Sequence, residues 1–146
     1  MPLRFCARML ALCLPLIFIA SQVLAAAPQN AGDDRIAALA IEGGRDTFRQ
    51  FCAPCHGVDG KGRGPIAAVL TTPPSDVTQE KRQNRGAFPL AALEAMLTGK
   101  VRLQTPAHGS EQMPIWGATF RAIDSSPTLA RARVANLLAY LESIQQ

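Results

Sequence analysis

The stretch Cys52-Ala53-Pro54-Cys55-His56 decides how this chain is read. It spells C-x-x-C-H, the attachment signature of c-type haem. Two thiols three positions apart can reach two vinyl groups on one side of a porphyrin and form thioethers. The next residue, His56, is then carried under the ring with an imidazole nitrogen aimed at the iron. Two other chemistries use the same spacing. A structural zinc site needs four ligands. The remaining cysteines, Cys6 and Cys13, lie in the leader described below, and His108 is the second of the two histidines. A thioredoxin-like pair needs a strand ahead of it and a βαβ pattern. The residues before Cys52 read as helix, and no β-branched run follows.

Residues 1–25 read as a secretory signal peptide. Arg4 and Arg8 make the positive end, Met9 through Ala20 the apolar run, and Val23-Leu24-Ala25 the small-residue cleavage signal. An uncleaved membrane anchor is the rival reading, but a spanning helix needs about 20 apolar residues. This run is shorter and carries Pro15. Lipidation at Cys13 is disfavoured by the bulk of Leu12. Export and the motif agree, because bacterial haem c is attached outside the cytoplasmic membrane and the mature chain keeps only the two cysteines of C-x-x-C-H. The expected localisation is the periplasm.

The 146 residues suit one domain. Residues 26–40 read as a flexible N-terminal segment and 41–146 as the folded domain. Aromatic residues make up 5% of the chain, so a bound ring would help such a chain build a core. The formal charge of +4 overstates the basic character. Without Arg4 and Arg8, 13 basic residues face 11 acidic ones, and two haem propionates would bring the sum near zero. No basic run interleaved with aromatics points to nucleic acid.

Along the domain, Asp33 or Asp34 can cap a helix carrying Ile36, Leu39, Ala40, Phe48 and Phe51 at helical spacing, interrupted at Gly43-Gly44. Gly57 to Pro65 holds four glycines and a proline in nine residues, which predicts an ordered loop against a ring edge. Thr71 to Thr78 is a second loop stiffened by Pro73-Pro74. Glu80 to Arg85 reads as a solvated polar face. Phe88-Pro89 opens a short helix with Leu90, Leu93, Met96 and Leu97 on one side and Gly99 at its end. Ser126-Pro127 starts the last helix, with Leu129, Val134, Leu137, Leu138, Leu141 and Ile144 inward and Arg131, Arg133 and Glu142 outward.

Iron with one histidine takes a sixth ligand or keeps an open site. Of the methionines beyond the leader, Met96 fits a core helix position. Met113 stands in a loop before Pro114, where backbone can present a thioether without breaking a helix. Met113 is therefore the expected second axial ligand, with an open site or His108 as alternatives.

Together these motifs resemble the class I monohaem cytochromes c, the small bacterial periplasmic kind with His/Met ligation. The likeness covers Gly43 to the C-terminus and rests on Cys52 to Gly57, Gly62 to Pro65, Met113 to Gly117 and the terminal helix. It implies an all-α fold of three to five helices around one covalent haem c, the first and last helices crossing. Gly44 and Phe48 would pack on Leu137 and Tyr140. The carbonyl of Pro65 would hold the ring N–H of His56, and Trp116 would pack or touch a propionate. The implied activity is electron transfer, not enzymatic turnover. The implied partners are redox proteins: an oxidase, a reductase or a dehydrogenase to which the chain could also belong as a subunit. Lys61, Arg63 and Lys100 are candidates for steering an acidic partner. Relative to the smallest members, Thr71 to Thr105 holds an insert.

Overall fold

A computed structural model describes residues 30–101 and 113–146. The leader reading, residues 26–29 and His108 lie outside the described residues. Helix α1 spans Asn30–Thr47 and passes without a break through Gly43 and Gly44. The expected interruption is absent because the glycines serve a contact. A Cβ on Gly44 would strike the carbonyl oxygen of Asn136 and lie 2.7 Å from Cβ of Tyr140. Glycine in a helix interior costs about 1 kcal/mol, and here it lets two helix backbones touch. Residues 30–40, read as a flexible segment, are helical, with Ile36 and Leu39 exposed.

At Phe48–Cys52 the helix widens into a π turn, then tightens into α2, Ala53–His56. Such turns place side chains off the regular helical spacing. Phe48 faces Tyr140, ring centroids 5.4 Å apart, while Phe51 meets Trp116 and Phe120. Two single 3₁₀ turns follow, Ala67–Val69 and Val77–Gln79, then the one-turn helix α3, Glu80–Gln83. Helix α4 spans Leu90–Thr98, with Pro89 just ahead of it and Gly99 left-handed at its end. Leu93 and Leu97 are buried, whereas Leu90, in the first turn, is half exposed.

Helix α5 spans Trp116–Ile123 and α6 spans Pro127–Ser143. Ser126 caps α6 by accepting a hydrogen bond from the Leu129 amide at 3.3 Å. The inward row of α6 is Ala130, Val134, Leu137, Leu138, Tyr140 and Leu141. Leu129, one turn from the cap, is exposed, and Arg133 is turned inward onto α5. Both depart from the expected faces. The core joins this row to Phe48, Cys52, Leu93, Leu97 and Phe120. Among the described residues there are four helices of eight or more residues and no strand, the all-α fold expected. At the α1–α6 approach Gly44 and Phe48 both meet Tyr140, as the resemblance implied, and Gly44 also meets the Asn136 backbone.

Candidate functional site

The first half of the site is built from backbone. After α2 the chain folds back, and its amides take up the carbonyls that the helix end leaves open. Gly57 N donates to Ala53 O at 2.8 Å, Gly62 N to His56 O at 2.7 Å, Gly64 N to Cys55 O at 2.9 Å and Ile66 N to Pro54 O at 3.1 Å. Gly64 is buried against this turn. A Cβ there would collide with Pro54 O and lie 2.6 Å from Ala53 O. The loop is ordered, as its glycines predicted, and the carbonyls of Ala53, Pro54, Cys55 and His56 are all gripped by the stretch that follows them.

His56 is half-buried, and its Nδ1 donates to the carbonyl oxygen of Ser75 at 2.9 Å. That bond fixes the tautomer and leaves Nε2 as the lone-pair nitrogen, the arrangement typical of a metal-binding imidazole. The resemblance implied Pro65 for this carbonyl; the acceptor found is Ser75. Pro65 is exposed, and its loop is tied to α2 rather than folded over the ring. Ser75 follows Pro73-Pro74, whose extended backbone carries its carbonyl to the ring from nineteen residues away. Burial holds the His56 pKa below the ordinary histidine value, and the bond to Ser75 opposes this only in part. A neutral imidazole is the form that binds metal.

Cys52 is buried and Cys55 half-buried, both as free thiols. Burial, and then the neighbouring Cys55, push the Cys52 thiol up to about 12. Among the described residues no group of three or more His, Cys, Asp or Glu side chains could hold a metal ion.

Both cysteines and His56 open onto one apolar cleft of about 920 Å³, counting the part open to solvent. Its walls include Phe51, Leu93, Leu97, Leu137 and Leu141. Met113, half-buried, lines the same cleft, and so does Trp116. Met96 also lines it, so Met96 is a wall residue as well as a core position. Trp116 packs edge-on against Phe51 at 5.5 Å and stacks on Phe120 at 5.8 Å, which makes its observed role a packing one. Two thiols, a neutral imidazole and a thioether around an apolar slot suit a covalently held porphyrin. The residues present fit the group.

Glu80 is the residue that sequence reasoning missed. It heads α3, is 3% exposed and lines the cleft. The rest of the polar run, Lys81 to Arg85, is exposed as expected. The chain end is tied down on either side of Glu80. Gln145 Oε1 accepts from Lys81 N at 2.8 Å, while Gln145 Nε2 donates to Val77 O at 2.9 Å. No local pattern announces a contact between Lys81 and Gln145.

The family model for cytochrome c matches residues 41–145. The chain belongs to the cytochrome c family. Membership implies covalently bound haem c and haem-based electron transfer. The match begins within α1 and ends at Gln145. No curated protein and no solved structure matched the chain. No described helix is long and apolar enough to cross a membrane.

Proposed function

We propose that this cytochrome c is a periplasmic single-haem carrier of the class I type, ligated by His56 and Met113, that passes one electron at a time between redox proteins. The observation that carries the reading is the convergence of Cys52, Cys55, His56 and Met113 on one apolar cleft. Haem c supplies the ferrous–ferric couple when bound. The chain's own residues do the rest. Cys52 and Cys55 hold the ring edge. His56 presents Nε2, steadied through Nδ1 by Ser75. Met113 offers a soft thioether from the opposite segment, which favours the reduced state and raises the potential. Leu93, Leu97, Leu137 and Leu141 exclude water and lower the local dielectric, with the same sign of effect.

Single-haem stoichiometry follows from the single C-x-x-C-H motif. Partners of oxidase, reductase or dehydrogenase type would meet the open side of the cleft in a small transient contact. Strong electrostatic steering is not part of the reading. Arg63 pairs with Asp59 at 3.3 Å and Lys100 with Glu94 at 3.9 Å, so local acids answer both charges. Mass analysis of the exported protein should show cleavage after Ala25.

The deciding experiment is spectroscopic. The oxidised protein should show the weak near-infrared sulfur-to-iron band, and the reduced spectrum should not change under carbon monoxide. Met113→Ala should abolish the band, lower the potential and admit carbon monoxide while the haem stays attached. An unchanged spectrum and potential in Met113→Ala would remove Met113 as ligand. Carbon monoxide binding by the native protein would turn the reading toward gas binding or catalysis.

A further inference from the structure

Met113 comes three residues before α5, and among the described residues no backbone fold-back like that of Gly57–Ile66 ties its segment. What holds it is α5, fastened at both ends. At the start, Gly117 sits so close to the end of α4 that a Cβ there would lie 2.8 Å from Cα of Thr98. Phe51 wedges against Trp116 and Phe120 along the length of the helix. At the far end, Asp124 closes α5 with its amide bonded to Phe120 O at 2.8 Å. Its carboxylate is gripped by Arg133 of α6 through two parallel bonds, Nε to Oδ2 at 2.9 Å and an Nη to Oδ1 at 2.6 Å. The same guanidinium lies over the Phe120 ring, 5.5 Å from its centroid.

This geometry is more specific than a surface ion pair. The Asp124 side chain is 9% exposed and that of Arg133 29%. A planar fork on a carboxylate fixes direction as well as distance, and stacking on an aromatic face uses its second surface. Arg133 therefore sets the rotation and the depth of α5 against α6. We propose that Arg133, acting through Asp124 and Phe120, is a positioning residue for Met113: it holds α5 so that the thioether stays seated on the iron, and its loss opens the sixth position to exogenous ligands. The inference rests on Met113 being the axial ligand.

The test is imidazole titration of the oxidised holoprotein, read at the near-infrared sulfur-to-iron band, alongside helical circular dichroism and a urea midpoint. Wild type should keep the band and resist imidazole. Arg133→Gln and Asp124→Asn should each bind imidazole about tenfold more tightly, the loss expected for a charge-assisted hydrogen bond. The haem should stay attached and the helix content unchanged. Arg133→Lys, which retains charge without the planar fork, should fall between. If Arg133→Gln does not accumulate, the lysine variant must still exceed wild type. A lower urea midpoint with wild-type imidazole affinity would reduce Arg133 to a structural residue and overturn the proposal. Absence of the band in wild type would instead overturn the Met113 reading, and this inference with it.

Discussion

The two segments that face the cleft are held in different ways. Cys52 to Ile66 is gripped by its own neighbours, through four backbone hydrogen bonds between residues at most twelve apart in the chain. Among the described residues, Met113 to Asp124 is held by contacts from elsewhere: the Phe51 side chain from the π turn, the Thr98 backbone at the end of α4 and the Arg133 side chain from α6. A locally tied segment needs little of the fold to be right before it forms. A remotely tied one reports on the packing of the entire domain. The histidine side should thus behave as a rigid mount, and the methionine side as the part of the site that yields first under stress.

The most severe way to break the contrast is to attack the mount. Gly64→Val would drive a branched side chain into the Ala53 and Pro54 carbonyls. Overpacking of this kind costs about 3 kcal/mol or more. The expected result is failure to accumulate haem-attached protein, seen as loss of the haem stain on a gel. The matching attack on the other side is Phe120→Ala. Phe120 is fully buried between Phe51, Trp116 and Arg133, and its truncation should cost about 3–5 kcal/mol. Haem attachment should survive in the folded fraction, and the near-infrared band should fade before helix content does in a urea titration.

Smaller changes sharpen the comparison. Asp76 accepts from the Thr78 amide at 3.0 Å and its hydroxyl at 2.6 Å, next to the carbonyl that holds His56. Asp76→Ala should cost about 1 kcal/mol of stability and blur the proximal histidine signals in the NMR spectrum, with imidazole affinity unchanged. The mildest probe is acid. The hydrogen bond from Arg133, with its charge second to burial among the remaining causes, holds the Asp124 carboxyl below the ordinary aspartate range. A depressed folded pKa gives stability that is complete above the unfolded value and lost as pH falls through the lower, folded one. The margin of wild type over Asp124→Asn in urea midpoint should therefore persist at neutral pH and vanish only below the usual carboxylate range.

The same division governs what could be read in advance. The motif, the ordered glycine loop, the Ser126 cap and the inward row of α6 were legible because each is a local pattern. So was the pairing of Gly44 and Phe48 with the last helix, through the family likeness. Ser75 in place of Pro65 was not, because nineteen residues of irregular chain decide which carbonyl arrives at His56. Glu80 was hidden because it heads a run of exposed polar residues, and the Gln145 tie beside it comes from far along the chain. Arg133 was assigned outward because periodicity sorts arginine to solvent, and periodicity does not see Asp124 across the turn between two helices. Leu90 and Leu129 erred the other way: each lies in the first turn of its helix, where apolar spacing persists beyond the reach of the core.

The bare backbone contact of Gly44 with Asn136 has a consequence for how such a chain can change over time. It joins one end of the described fold to the other, so nearly everything between is, topologically, a single large loop. The entropy of closing a flexible loop rises only with the logarithm of its length, about 0.6 kcal/mol for each doubling. Residues can therefore be added to or removed from the loop's exposed parts, such as Arg82 to Ala87, at small thermodynamic expense, provided the crossing and the contacts that hold the site are left alone. The crossing works as a clasp, and the strap it closes is free to be recut for a new partner.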